Sequence, residues 1–389
     1  MNHLLITDRF LPHKGGSRIY YYEIARRMHI PVLTSHEQDS KNFDQQQSFQ
    51  IFRHWGIRPD YTGKFKPSNP VGNILLNYLP PLFWMVVWSM YYAKKLKPEM
   101  IHAGGYQFAG MAALVTGKLW KIPFVVYAHG EELLAARGSR YLRYYTNWVF
   151  QGADKVIANS EYTRNLLVQQ GVPLDKIQIV NPGISEVFFE KLTMPHETLK
   201  RYQLEHKKVL LSVGRLTPRK GHLKVLQALP KILLEHPDLC YVIAGTGDEQ
   251  TVLANYVKKN QLSNHVIFTG SVTEEELRAW YQACDIFVLA NRELSHDVEG
   301  FGMVFLEAGA AGKPVIGGKT GGAVEAVQDA ITGFLVDTEM PDQIAEKIVF
   351  LFNSPQQRQE MGMNGRKWAK KFLWTKQIQK LELSLSQVA

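Results

Sequence analysis

The chain has 389 residues, 45% of them hydrophobic and 21% charged, and a formal net charge of +9. That length exceeds what one hydrophobic core organises, so two domains are expected, and the two cysteines, Cys240 and Cys284, each inside an apolar run, exclude a disulfide-stapled fold and suit a reducing cytoplasm. The charge is uneven, +7 in residues 1–190 and +2 in residues 191–389, a bias that suits nucleic acid, anionic lipid or an anionic substrate, and no nucleic-acid motif accompanies it.

The N-terminal apolar run reaches charge too early for a signal peptide and reads as a first strand over residues 4–7. Residues 82–93 carry Trp84, Trp88, Tyr91 and Tyr92 and are followed by Lys94, Lys95 and Lys97. This run is about half of the roughly 20 residues a membrane span needs, which leaves a sheet-covering helix or an aromatic segment at a membrane surface. Further strands are expected at 100–102, 124–127, 155–158 and 177–180. A second series is expected at 209–213, 241–244, 266–268, 286–289, 314–316 and 333–336. Strands separated by helix-length segments imply parallel βαβ units, so each series forms a doubly wound sheet.

Between the two series, Asn181-Pro-Gly-Ile opens a turn-rich polar stretch running to about Lys200. The domains are therefore expected at 1–190 and 191–373. A terminal helix, 374–389, with Ile378, Leu381, Leu383 and Leu385, is expected to pack back on the first domain. Residues 137–148 place Arg137, Arg140 and Arg143 at three-residue spacing, with Tyr141, Tyr145 and Trp148 on an adjacent arc of the same predicted helix. A basic-aromatic helix in the more basic domain suits an anionic membrane surface; its plain alternative is aromatics packed on the sheet with solvated arginines.

Two constellations carry chemistry. The first is Glu299-Gly300-Phe301-Gly302-Met303-Val304-Phe305-Leu306-Glu307, a carboxylate in a glycine-containing turn and a second inside the helix that follows. Open N–H groups at a helix start favour anions, and flanking carboxylates accept hydroxyl protons from sugars and riboses. The second is Gly214-Arg215-Leu216-Thr217-Pro218-Arg219-Lys220-Gly221, at the end of the strand that opens the second domain. Gly214 lets backbone approach a ligand, and Arg215 with Lys220 suits a pyrophosphate that is bound and then stabilised as it leaves. Taken singly, each has a plain reading as a capped helix or a basic surface turn.

Together these blocks resemble the signature of family 4 retaining glycosyltransferases. Supporting matches run along the whole chain: Phe10 to Gly16, Tyr127-Ala-His129-Gly130-Glu-Glu132, Ala158-Asn-Ser160, Asn181-Pro-Gly183, Gly245-Thr-Gly247 and Gly321-Gly322-Ala-Val-Glu325. The pattern is most similar to phosphatidylinositol mannoside mannosyltransferases. The resemblance implies a GT-B fold, two Rossmann-like domains facing a cleft. It implies that Arg215 and Lys220 hold the donor diphosphate. Glu299 and the N–H groups of Phe301 and Gly302 hold the sugar, with Met303 and Val304 beside them at positions from which no specificity is read. Glu307 takes the ribose, and Gly15 and Gly16 approach the diphosphate and acceptor side. His129 lies at the reacting face, although a histidine after a buried strand is often only structural, and Glu325 lies near the donor.

No Asp-x-Asp occurs, so no metal cofactor is expected, the two cations replacing it. No carboxylate is clearly placed as nucleophile, which fits front-side attack with retention. GDP-mannose is the favoured donor, then UDP-sugars, and the acceptor is a lipid-linked or other saccharide. The setting is cytoplasmic, peripheral to the membrane. Three rivals are weighed: a dehydrogenase, whose Gly-x-Gly-x-x-Gly fails at Gln250, a non-hydrolysing sugar-nucleotide epimerase, and a catalytically silent carbohydrate-binding homologue.

Overall fold

A computed structural model describes residues 2–388 apart from residues 14, 39, 58–76, 138, 193–194 and 296. The chain forms two compact units, unit 1 of Met1–Asn181 with Gln377–Ala389 and unit 2 of Pro182–Lys376. The division falls earlier than the expected residue 190 because Ile184 and Phe188 are buried in the core of unit 2.

Unit 1 contains β1 (His3–Thr7), β2 (Val32–Ser35), β3 (Ile51–His54), β4 (Met100–Gly104), β5 (Phe124–Ala128), β6 (Lys155–Ala158) and β7 (Ile177–Ile179). They pair in parallel in the order β3-β2-β1-β4-β5-β6-β7. Strands β2 and β3 escape the sequence reading because Val-Leu-Thr-Ser and Ile-Phe-Arg-His are four-residue segments without a sustained apolar run.

Unit 2 contains β8 (Lys208–Val213), β9 (Leu239–Ala244), β10 (Val266–Gly270), β11 (Ile286–Leu289), β12 (Val315–Gly318) and β13 (Gly333–Val336), in the order β10-β9-β8-β11-β12-β13. Successive side chains of a strand point to opposite faces. Accordingly Leu210, Ile243, Val288 and Ile316 bury in one core while Leu211, Val242, Phe287 and Val315 bury in the other. A sheet covered on both faces needs this nearly continuous apolar run. Chain order reverses between β8 and β11, so the connections leaving these neighbours diverge and open a crevice at their C-terminal ends. Both motifs read from the sequence lie there.

The predicted 137–148 helix requires correction. The chain forms one helix over Glu131–Arg137 and another over Arg140–Gly152, because the Ser139 side chain caps the second by accepting from the Leu142 N–H. Arg137 thus stands apart from Arg140 and Arg143, and its side chain lies outside the described residues.

Candidate functional site

Three loops of unit 2 meet at the C-terminal ends of β8, β11 and β12. The loop after β8 ends in a single turn, Pro218–Lys220, followed by Gly221. Arg292 N–H donates to the Arg219 carbonyl at 2.7 Å, locking this loop to the one after β11. That second loop runs to the helix Met303–Ala310, whose N-cap Gly302 has a φ of 89° and no side chain to offer. A left-handed φ is the glycine's province, and the uncapped first-turn N–H groups remain available to a ligand. The loop after β12 approaches closely: Gly322 N–H donates to the Glu299 carbonyl at 2.8 Å, and a Cβ on Gly322 would lie 2.0 Å from the Gly300 oxygen. Buried Asn291 ties the last two loops, its Oδ1 accepting from Gly318 N–H and its Nδ2 donating to Thr320 Oγ1, each at 3.0 Å.

At this junction stands an ionic cluster. Glu299 Oε2 accepts from Lys220 Nζ at 2.5 Å and from Arg219 Nη1 at 2.8 Å, while Arg219 Nε pairs with Asp297 Oδ1 at 2.8 Å. Glu299 is only 9% exposed and Arg219 6%. Burial pushes the Glu299 carboxyl up, but the charges and hydrogen bonds of Lys220 and Arg219 outweigh it and hold the group below its ordinary value. Of the two cations expected to act together, the structure joins Lys220 to Glu299, whereas Arg215 is exposed beside Gly214 and forms no ion pair with a described residue. The sequence reading gives Arg219 and Asp297 no role beyond letters of the Pro-Arg-Lys-Gly and Asp-Val-Glu-Gly blocks, and it omits Asn291. The Pro-Arg-Lys-Gly block contained Arg219 as a motif letter, but nothing in it tells which of two adjacent cations turns inward.

Phe301 is a core side chain, 2% exposed and packed on Phe372, so only its backbone faces the loop junction. Met303 and Val304 are partly buried in the first turn of the helix. Glu307, further along it, accepts a 2.6 Å hydrogen bond from the Tyr281 hydroxyl, and burial pushes its carboxyl up to about 7. Glu325 lies partly buried in the short helix Ala323–Ala326 just after the Gly321-Gly322 loop.

In unit 1, Gly15 is the extended N-cap of the helix Gly16–Met28, and Gly16 is exposed. His129 follows β5. Its Nε2 is 2.7 Å from the Tyr21 hydroxyl, its backbone N–H donates to Glu132 Oε1 at 2.5 Å, and its carbonyl accepts from Asn159 Nδ2 at 3.2 Å. Burial lowers the imidazole to about 4 and raises the Tyr21 phenol, so both are uncharged at neutral pH. Arg140 and Arg143 are exposed on the helix Arg140–Gly152. Among the described residues no helix is long and apolar enough to cross a membrane.

Comparison with known proteins covers both units. The family model Glycosyltransferase Family 4 matches residues 15–187, and Glycosyl transferases group 1 matches residues 197–368. A GDP-mannose-dependent alpha-(1-6)-phosphatidylinositol monomannoside mannosyltransferase of Mycobacterium tuberculosis (strain ATCC 25618 / H37Rv) is 36% identical over 220 residues. That match covers 56% of this chain and 57% of the relative, little more than half its length. An uncharacterized glycosyltransferase of Methanocaldococcus jannaschii is 30% identical over 266 residues, 68% of each chain. The crystal structure of HepE from Anabaena in complex with UDP superposes with a TM-score of 0.83 over 100% of both chains at 20% identity, which establishes the fold as GT-B. The chain therefore belongs to the group 1, family 4 glycosyltransferases.

Proposed function

We propose that this chain is a retaining hexosyltransferase that moves a sugar from a nucleoside-diphosphate donor to a lipid-linked or saccharide acceptor without a metal ion, with GDP-mannose as the favoured donor. The observation that carries the reading is the ionic cluster of Lys220, Arg219 and Glu299 beside an uncapped helix start. The diphosphate lies against that helix start, met by Lys220 and by Arg215, which is exposed beside it. Glu299 accepts sugar hydroxyls and Glu307 the ribose hydroxyls. Gly214 and the Gly321-Gly322 loop let backbone close on the donor, with Glu325 behind them. Within unit 1, Gly15 and Gly16 offer open backbone, and His129, neutral and oriented by Tyr21, offers a hydrogen bond and no charge. In the transfer step the bond from the anomeric carbon to the diphosphate oxygen breaks and the acceptor oxygen bonds on the same face. The acceptor's proton passes to the departing diphosphate. The protein accelerates this by positioning and by stabilising the leaving charge. The mannosyltransferase relatives support GDP-mannose, and the UDP complex of HepE supports UDP-sugars as the next choice.

Thermal unfolding in EDTA with GDP, UDP, GDP-mannose, UDP-glucose and UDP-N-acetylglucosamine tests donor binding. A ligand at 100 times its dissociation constant stabilises by about 2.7 kcal/mol, so GDP and GDP-mannose should raise the melting temperature clearly. No shift with any of them, or a shift only after a divalent ion is added, removes the metal-free donor site. Glu299→Ala should keep the parent's circular dichroism with a lower melting temperature and transfer nothing.

Features of unit 1 support a setting at a membrane surface. Its helices Leu79–Leu96, Phe108–Trp120 and Arg140–Gly152 pack side by side and contain no Asp or Glu. On them Phe83, Tyr141 and Tyr144 are 60%, 91% and 78% exposed, and Lys118, Arg140 and Arg143 are exposed as well. Helices without acidic residues that carry exposed aromatics and cations fit an anionic bilayer surface, where a lipid-linked acceptor resides. Sedimentation with phosphatidylglycerol vesicles but not with phosphatidylcholine, lost in Tyr141→Ala/Tyr144→Ala, would support this setting, and equal recovery with both lipids would end it.

A further inference from the structure

We propose that Glu299 and the donor diphosphate compete for one cation, Lys220, so that the carboxylate which holds the sugar also displaces the nucleoside diphosphate after the sugar has left. The proposal rests on the donor-site reading above. Two cations share Glu299 Oε2, and they are not equivalent. Arg219 also pairs with Asp297, is almost wholly buried, and has its carbonyl held by Arg292. Its planar fork cannot turn away without giving up both Asp297 and the buried Glu299. Lys220, by contrast, pairs among the described residues with Glu299 alone. Its flexible stem runs beside Gly214, where even an added Cβ would stand 3.5 Å from Cδ and Cε. Gly214 has no side chain to hold the stem, and an ammonium on four rotatable bonds re-aims with only one partner to give up, while the guanidinium stays.

Without a donor the cluster is balanced, with Asp297 and Glu299 against Arg219 and Lys220. An arriving diphosphate brings further negative charge and draws Lys220 away. Glu299 keeps Arg219, stays ionised, and has a lone pair released for a sugar hydroxyl. Once the sugar has gone to the acceptor, Glu299 has lost those hydroxyls and reclaims the ammonium, which weakens the hold on the diphosphate at the point where it must depart. If Lys220 rests on Glu299 in nine of ten ligand-free molecules, the apparent affinity for a nucleoside diphosphate is lowered about tenfold.

Titration calorimetry with GDP and UDP on the full chain and on Glu299→Gln, Lys220→Met and the double variant tests this. The nucleotide that binds the parent should bind Glu299→Gln about tenfold tighter, and adding Glu299→Gln to Lys220→Met should give no gain. Glu299→Asp, which keeps the charge but withdraws it by one methylene, should shift affinity in the same direction and serves if the Gln variant does not fold. Equal or weaker binding in these Glu299 variants overturns the exchange, and so does a gain that persists in the Lys220→Met background, since that is a general charge effect. If neither nucleotide binds the parent, the donor-site reading falls and the exchange with it; binding without gain removes the exchange alone.

Discussion

Replacing Glu307 with Gln should stabilise unit 2 at neutral and alkaline pH and leave it unchanged in mild acid. The carboxyl is pushed by burial from 4.5 to about 7 and accepts from Tyr281 at 2.6 Å. In the unfolded chain it titrates near 4.5, so between the two values the folded state binds more protons than the unfolded one, and stability falls as pH rises through that window. Above about 7 the loss is complete, and at roughly 1.4 kcal/mol per tenfold in proton concentration it amounts to about 3 kcal/mol. Gln carries no charge to bury and can still accept from Tyr281. For a domain of this size about 2–4 °C accompanies each kcal/mol, so Glu307→Gln should melt about 6–12 °C above the parent at pH 8 and within about 2 °C of it at pH 5. Ligand-free thermal unfolding followed by circular dichroism at both values measures the difference. A gain of equal size at pH 5, or none at pH 8, would refute the burial argument. The same substitution removes a charged acceptor for the ribose, so donor affinity should fall about tenfold.

Arg219→Met leaves Glu299 with Lys220 alone and Asp297 without its partner. Because Asp297 is only half-buried, the loss should be about 2–4 kcal/mol, below that of a fully buried pair, and thermal unfolding should show Arg219→Lys recovering part of it. Gly322→Ala puts a Cβ 2.0 Å from the Gly300 oxygen, so the two loops must part. Circular dichroism should remain that of the parent while donor binding weakens at least tenfold by calorimetry, and unchanged binding would show that the loop junction does not shape the site.

The architecture was legible because the central unit-2 strands are short apolar runs buried on both faces, as at Val209–Ser212, Leu239–Ala244 and Ile286–Leu289, the pattern of a covered parallel sheet. Unit 1 was harder. Its β2 and β3 carry Thr34, Ser35, Arg53 and His54, whose place is fixed by pairing with neighbours instead of by their own pattern. The site divides likewise. Glycines announced the loops that approach one another, and Lys220, Glu299 and Glu307 were legible from motif spacing. Which cation turned inward was not, because Arg215, Arg219 and Lys220 differ in direction only after the turn Pro218–Lys220 has formed and Arg292 has fixed the Arg219 carbonyl. The helix break at Ser139 was missed because one serine cap outweighs the periodicity of the arginines around it.

Unit 2 is an insertion whose two ends meet: Ile184 bridges Leu373 in parallel, with Ile184 N–H donating to the Phe372 carbonyl at 2.8 Å and Trp374 N–H donating to the Ile184 carbonyl at 3.2 Å. The remaining residues, Gln377–Ala389, return to unit 1, and within them Leu381 is fully buried. On the ribosome this reverses the apparent order of events. At roughly 5–20 residues per second, making the segment between the two parts of unit 1 takes about 10–40 s. For that interval unit 1 has emerged without its last segment, whose Ile378, Leu381 and Leu385 are buried in the folded chain, while unit 2 acquires every residue it needs. The unit that comes second in the sequence is thus the first that can finish folding.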